Sequence, residues 1–290
     1  MTPRREGALL LAIGATALAG CGAGGRADAG ATSADGAATS DTGAASDAAG
    51  GTDATAALVD LDGDGLDDAV EQMLAESYLP FMSLSPMDGC PTMGIVFRLT
   101  PHALDATKVH VIYDVLYDED CGAGGHVGDD EVFAATIDPA VPAPAGILAL
   151  RAISHQGTPC EAVTDCGCAA GGLTACETQS WMGASWPVVY ASRDKHGSYV
   201  FEGTCDGACF FTNYCDLAPT PAVPLLVNAG EPGAPLTNDL TAAGLVTTAN
   251  GWMNAALFDY DPWGAVDFGG AGSVAGDLVD PAFDTPVPGC

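Results

Sequence analysis

From Leu58 onward, apolar and polar positions alternate in short bursts rather than at one sustained period. One segment departs from this. Over Asp67 to Tyr78, the residues Val70, Met73, Leu74 and Tyr78 recur at three- and four-residue spacing and Pro80 follows, which predicts a helix that stops before the proline. Downstream, runs rich in β-branched and aromatic residues cover Met93 to Leu99, Lys108 to Tyr117, Glu131 to Ile137, Ile147 to Ile153, Pro187 to Ala191, Ser198 to Glu202 and Ala222 to Asn228. Gly, Pro and Asp clusters separate them. The pattern predicts a mainly β fold, a β-sandwich with one N-terminal helix and decorated loops. Thr158 to Cys176 reads as a cysteine- and glycine-rich insertion, a stapled loop, and after Asn228 only Thr237 to Leu245 has a helical look.

The first 57 residues carry no such pattern. Arg4 and Arg5 precede an apolar stretch from Ala8 to Ala19, too short to span a bilayer as a mature helix, and Leu18-Ala19-Gly20-Cys21 follows. This segment resembles bacterial lipoprotein signal peptides, whose cysteine is lipidated and becomes the new N-terminus. The resemblance implies export, lipidation at Cys21, a membrane partner through that anchor, and residence in the cell envelope, at the outer membrane or cell surface. From Gly22 to Ala57 the chain is Gly, Ala, Ser, Thr and Asp with Arg26 as its one base and no aromatic residue, a composition that cannot bury enough apolar surface to offset chain entropy. It reads as a tether with an end-to-end distance of roughly 30 to 36 Å. The expected organisation is a signal peptide over 1–20, lipidated cysteine and tether over 21–57, an acidic loop and helix over 58–80, and one β domain over 81–290.

Charge and cysteines narrow the function classes. The 290 residues hold 8 basic and 38 acidic side chains, a net charge of −30. Loss of Arg4, Arg5 and Glu6 with the signal peptide makes it about −31. So acidic a surface repels nucleic acid, excluding it as a partner, and attracts divalent cations. Of 11 cysteines, setting aside Cys21 leaves Cys90, Cys121, Cys160, Cys166, Cys168, Cys176, Cys205, Cys209, Cys215 and Cys290. An even set in an exported chain reads as disulfides, and the spacings lack the paired C-x2-C knuckles of a zinc site. Their connectivity stays open.

Two acidic stretches carry candidate chemistry. In Asp60-Leu61-Asp62-Gly63-Asp64-Gly65-Leu66-Asp67-Asp68-Ala69-Val70-Glu71, a twelve-residue calcium loop places Asp60, Asp62 and Asp64 at positions 1, 3 and 5, Gly65 at the turn, Asp68 at position 9 and Glu71 at position 12. Alternate residues of a curled loop point inward, and Glu71 on the following helix can close the shell with both oxygens. The expected cofactor is Ca2+, held with an affinity on the order of 10⁻⁴ to 10⁻³ M in a structural role. The loop resembles the single-helix calcium loops of dockerins and related extracellular modules, with the tether in place of an entering helix.

In the second stretch, Gly124-Gly125-His126-Val127-Gly128-Asp129-Asp130-Glu131-Val132-Phe133, Asp129 and Glu131 share a strand face and His126 comes from the loop before it. Asp118 or Asp120 upstream can add an oxygen. Tyr113 through Phe133 resembles the H-x-G-D-x-E segment of the vacuolar protein sorting-associated family and is similar to the G-H-x-x-D-x-E heptad of the necrosis-inducing cytolysins. Val188 to Tyr199 and the Leu74-to-Pro80 segment extend the first resemblance, to about a fifth of the chain. In the cytolysins the heptad holds a divalent cation in a β-sandwich, with a further aspartate eight residues before the histidine. The resemblance thus implies Asp118, His126, Asp129 and Glu131 as ligands of a second cation, Mg2+, Mn2+, Ca2+ or Zn2+, with His196 facing them. It departs at Asp130, where both families carry tryptophan, and at Gly128, where the cytolysins carry a second histidine.

His196 belongs to Arg193-Asp194-Lys195-His196, which either neutralises this acidic site or forms a local ion-pair patch. Trp181, Trp186, Trp252 and Trp263 read as core packing, with a carbohydrate-binding surface as the alternative. There is no H-E-x-x-H, no G-x-S-x-G and no Cys/His signature, so no nucleophile or general base is named. The leading expectation is a surface-tethered, cation-binding lipoprotein without enzymatic activity. The alternatives are a metal-dependent hydrolase using His126, Asp129 and Glu131, and a cytolysin-like protein that engages membrane glycolipids.

Overall fold

A computed structural model describes residues 58–90, 92–167, 174–209, 213–245, 261–264 and 273–284. Within them the chain begins with α1 (Asp68–Ser77), whose N-cap Asp67 accepts hydrogen bonds from the Ala69 and Val70 amides. The buried face of α1 is Glu71, Leu74 and Ala75, continued by Tyr78, whereas Val70 and Met73 are 39% and 52% exposed. The helix is therefore where the periodicity puts it but rotated from the expected stripe, because Glu71 is drawn inward beside the acidic loop.

The strands follow as β1 (Phe81–Ser83), β2 (Thr92–Pro101), β3 (Val109–Glu119), β4 (Val127–Ile137), β5 (Ile147–Ser154), β6 (Ala162–Gly167), β7 (Thr178–Trp181), β8 (Ala184–Ala191) and β9 (Ser198–Tyr199). Beyond them lie α2 (Glu202–Gly207), β10 (Leu226–Asn228), β11 (Gly230–Glu231), β12 (Ala234–Pro235), α3 (Val274–Asp277) and α4 (Pro281–Asp284). Strands β2 through β6 form an antiparallel meander, and β10 returns to pair in parallel with β2. A second sheet joins β1, β8 and β7, with β9 on β8. The protein is thus mainly β, with several sheets and few helices among the described residues.

Both faces of the meander are buried. One carries Ile95, Phe97, Tyr113, Tyr117 and Phe133, packed with Leu74, Ala75, Met82 and Val189 from α1, β1 and β8. The other carries Val96, Ile112, Leu116 and Val132 under Leu240, Leu245, Val274, Leu278 and Phe283. Each such large side chain, fully buried, contributes roughly 1.5–3 kcal/mol. Burial on two faces explains the continuous apolar character of β3.

Two local expectations change. The insertion expected as a loop contains β6, which pairs with β5 along its length. Thr237 to Leu245 forms turns rather than a helix. Asp239 Oδ1 accepts from the Thr241 and Ala242 amides as an N-cap would, but Gly244 takes a left-handed backbone (φ +81°) and ends the turn at once.

Among the described residues the disulfides are Cys90–Cys121, Cys160–Cys209, Cys166–Cys176 and Cys205–Cys215. They suit an extracellular or envelope protein. No helix of the described residues is long and apolar enough to cross a membrane. The segments expected as signal peptide and tether, with Cys21, and also Cys168, Cys290 and Trp252, lie outside the described residues.

Candidate metal centres

The 60–71 loop is shaped by its own carboxylates. The Gly63 and Gly65 amides donate to Asp60 (2.7 and 3.1 Å), Leu66 to Asp64 Oδ1 (2.7 Å) and Leu61 to Asp68 Oδ1 (3.0 Å). Gly63 and Gly65 take left-handed backbone at φ +80° and +99°, which a side chain would strain. The curl gathers oxygen donors. Ligand atoms of Asp60, Asp62 and Asp68 lie within 4.8 Å of one another, as do those of Asp62, Asp64 and Glu71, so Asp62 joins the two sets.

Glu71 is only 1% exposed, and Asn228 of β10 donates to its Oε2 at 2.8 Å. Its Oε1, with Asp62 Oδ1 and Asp64 Oδ2, is buried without a hydrogen-bond donor among the described residues. Burial first, then the neighbouring carboxylates, pushes Glu71 up to about 8 and Asp62 up to about 6, against the bond from Asn228. Such an all-oxygen set can hold a hard metal ion.

The second stretch borders a cavity of about 430 Å3. It opens because β4 runs past its pairing with β5, which starts at Phe133↔Ala152, while the chain after β5 turns away through His155. His126, Asp129 and Glu131 line it together with Asp120, His155 and Lys195. Asp118 does not line it. It follows Tyr117, the cross-strand partner of Asp129, and by strand alternation sits on the opposite face.

His126 Nδ1 lies 2.8 Å from the Gly128 carbonyl oxygen, which can only accept, so Nδ1 carries the proton. Nε2, 3.9 Å from Asp120 Oδ2, is the ring atom left to face a cation. Asp120 itself is buried and bonded to Lys195 Nζ.

Asp129 is held differently. Its Oδ2 lies 2.7 Å from His196 Nδ1, and His196 Nε2 lies 3.4 Å from Asp88 Oδ1. The imidazole stacks on Tyr117 at 3.8 Å and 4°. Burial disfavours the charged ring, but the hydrogen bonds to Asp129 and Asp88 outweigh it and raise its pKa to about 9. His196 is therefore an imidazolium at neutral pH, a counter-ion rather than a ligand. Glu131 is buried, and desolvation together with Asp129 and Asp130 holds its carboxyl well above the usual range.

Asp88, Asn228 and Lys195 all serve these centres from distant segments. Only Lys195, within Arg193-Asp194-Lys195-His196, carried a visible signal. Asp88 and Asp194 approach Cys121, but that sulfur is in a disulfide and offers no thiolate. Trp181 packs edge-on against Phe81, Trp186 Nε1 donates to the Trp181 carbonyl, and Trp263 Nε1 donates to the Ala229 carbonyl.

No family model matches the chain, and no curated protein matches it. A solved structure described as "Toxin fold for microbial attack and plant defense" is similar at 14% identity, over 56% of this chain and 74% of that one, with a TM-score of 0.25. So slight a likeness carries no argument about fold or activity.

Proposed function

We propose that this protein is an exported lipoprotein, anchored at Cys21, whose disulfide-bonded domain is a calcium-binding module with a non-enzymatic binding or structural role. The observation that carries the reading is the set of buried, donor-free oxygens of Asp62, Asp64 and Glu71 inside a twelve-residue loop of oxygen ligands. Three ionised carboxylates so placed repel one another, and Ca2+ relieves that repulsion while closing the loop onto α1 and β10. The motif Leu18-Ala19-Gly20-Cys21 and the tether behind it support display away from a membrane surface, and the two sheets that share one core are read as a sandwich.

A second cation is proposed at the cavity, on His126 Nε2 and Glu131, with Asp129 held by His196. Metal analysis of the purified protein tests both centres. Asp62→Ala is expected to remove the loop ion and His126→Ala the cavity ion. Full occupancy in Asp62→Ala would sink the calcium reading, and an unchanged metal content in His126→Ala would retire the second centre.

A further inference from the structure

A third acidic group lies on the far face of the meander from His196. Asp114 is in the middle of β3, where the neighbouring residues are Tyr113 and Val115. It pairs across the sheet with Val132, and Leu116 pairs with Asp130, so Asp114 and Asp130 are diagonal neighbours on one face. Asp277, the last residue of α3, comes down on the same spot. Ligand atoms of the three carboxylates lie within 4.8 Å of one another.

Acidic residues gather on many surfaces without binding anything, but this group is not on a surface. Asp114 is 0% exposed, and neither of its carboxylate oxygens has a hydrogen-bond partner among the described residues. Both arginines of this face are engaged with carboxylates elsewhere, Arg98 with Glu231 at 2.8 Å and Arg151 with Asp165 at 2.7 Å. A buried carboxylate without a donor is costly, and the group that compensates it must carry positive charge or a proton. Asp130 and Asp277 also border the cavity beside β4, which gives a small ion a route to Asp114.

We propose that Asp114, Asp130 and Asp277 bind a hard divalent cation, and that this ion fastens the C-terminal segment around α3 to the sheet. The chemistry of the donors selects the ion: three carboxylates, with neither imidazole nor thiolate, suit Ca2+, Mg2+ or Mn2+ over the softer transition metals. The tether is useful because α3 is a single turn. A helix of four residues has little stability of its own, and the segment is otherwise held by the apolar contacts of Val274, Leu278 and Phe283 and by hydrogen bonds from Arg98, Arg151 and His110 to the Leu278, Ala282 and Phe283 carbonyls. This site shares no ligand with the loop or with the His126 centre, whose cavity Asp130 and Asp277 also border, and the variants below separate the two.

The test is Ca2+ stoichiometry by equilibrium dialysis, with limited proteolysis of the 273–284 segment, on the full exported chain. Asp114→Asn, which keeps the shape, is expected to bind one Ca2+ fewer than the parent, in both an Asp62→Ala and a His126→Ala background. Ca2+ is expected to slow cleavage near Asp277 several-fold in the parent and to have no such effect in Asp277→Asn, a half-buried position where the fold is spared. Unchanged stoichiometry in Asp114→Asn would overturn the proposal, as would Ca2+ protection that persists in Asp277→Asn. Stabilisation of Asp114→Asn in chelator and calcium alike would identify a proton-sharing carboxyl cluster instead, and would equally overturn it.

Discussion

Asn228 Nδ2 donates to Glu71 Oε2 at 2.8 Å across 157 residues of sequence, joining β10, the strand that returns to pair with β2, to the end of the acidic loop. The same amide accepts from the Gly230 N–H through Oδ1. Asn228 thus fixes the orientation of the carboxylate expected to close the calcium shell.

Asn228→Ala is expected to lower both stability and calcium affinity. Removing a donor from a buried carboxylate costs about 1–3 kcal/mol. Calorimetric melts with and without Ca2+ measure it. Identical melting temperatures for the variant and the parent in both conditions would show that the bond does not matter.

The metal-free loop has a pH dependence of definite sign. Burial raises Glu71 from 4.5 to about 8 and Asp62 from 3.8 to about 6, so the folded state holds protons that the unfolded chain releases. In chelator, stability is therefore expected to fall as pH rises from about 4 to about 8, and saturating Ca2+ is expected to flatten the slope. A flat profile in chelator would contradict this reading.

His196 acts in the same sense but in a higher window. Its pKa rises from 6.5 to about 9 against Asp129 and Asp88, with the Tyr117 ring stacked on one face. A raised folded pKa means that the contribution is complete below about 6.5 and is lost as pH rises through about 9. His196→Gln is expected to be less stable near pH 6 and to converge on the parent above pH 9. A constant difference across that range would show that the ring packs without its charge.

The Cys205–Cys215 bridge joins α2 to the chain beside β1 and β8, with both sulfur-bearing residues buried. Replacing the pair with alanine is expected to cost about 2–5 kcal/mol, read as a lowered denaturant midpoint. An unchanged midpoint would mean that the Phe81, Tyr190 and Tyr199 cluster suffices without it.

Sequence alone determined what is local. The helix at 68–77, the long strands β2 to β5 and the five loop carboxylates are legible because their signals repeat within a few residues: helical spacing, β-branched runs, alternate aspartates with glycines at the bends. Which face of α1 turns inward was not legible, since Glu71 is buried by a partner 157 residues away and displaces Val70 and Met73 to the surface. Short strands such as β6 and β7 lack a period to read. Only the tertiary structure decided that His196 is the counter-ion of Asp129, that Lys195 bonds Asp120, and that Asp118 faces away from both. It also decided that Asp114, one acidic residue in an apolar strand, meets Asp130 and Asp277 under α3. The physical reason is common to all of these: a carboxylate's role depends on what stands within a few ångströms of it once water is excluded, and those neighbours are supplied by chain segments that no local pattern connects.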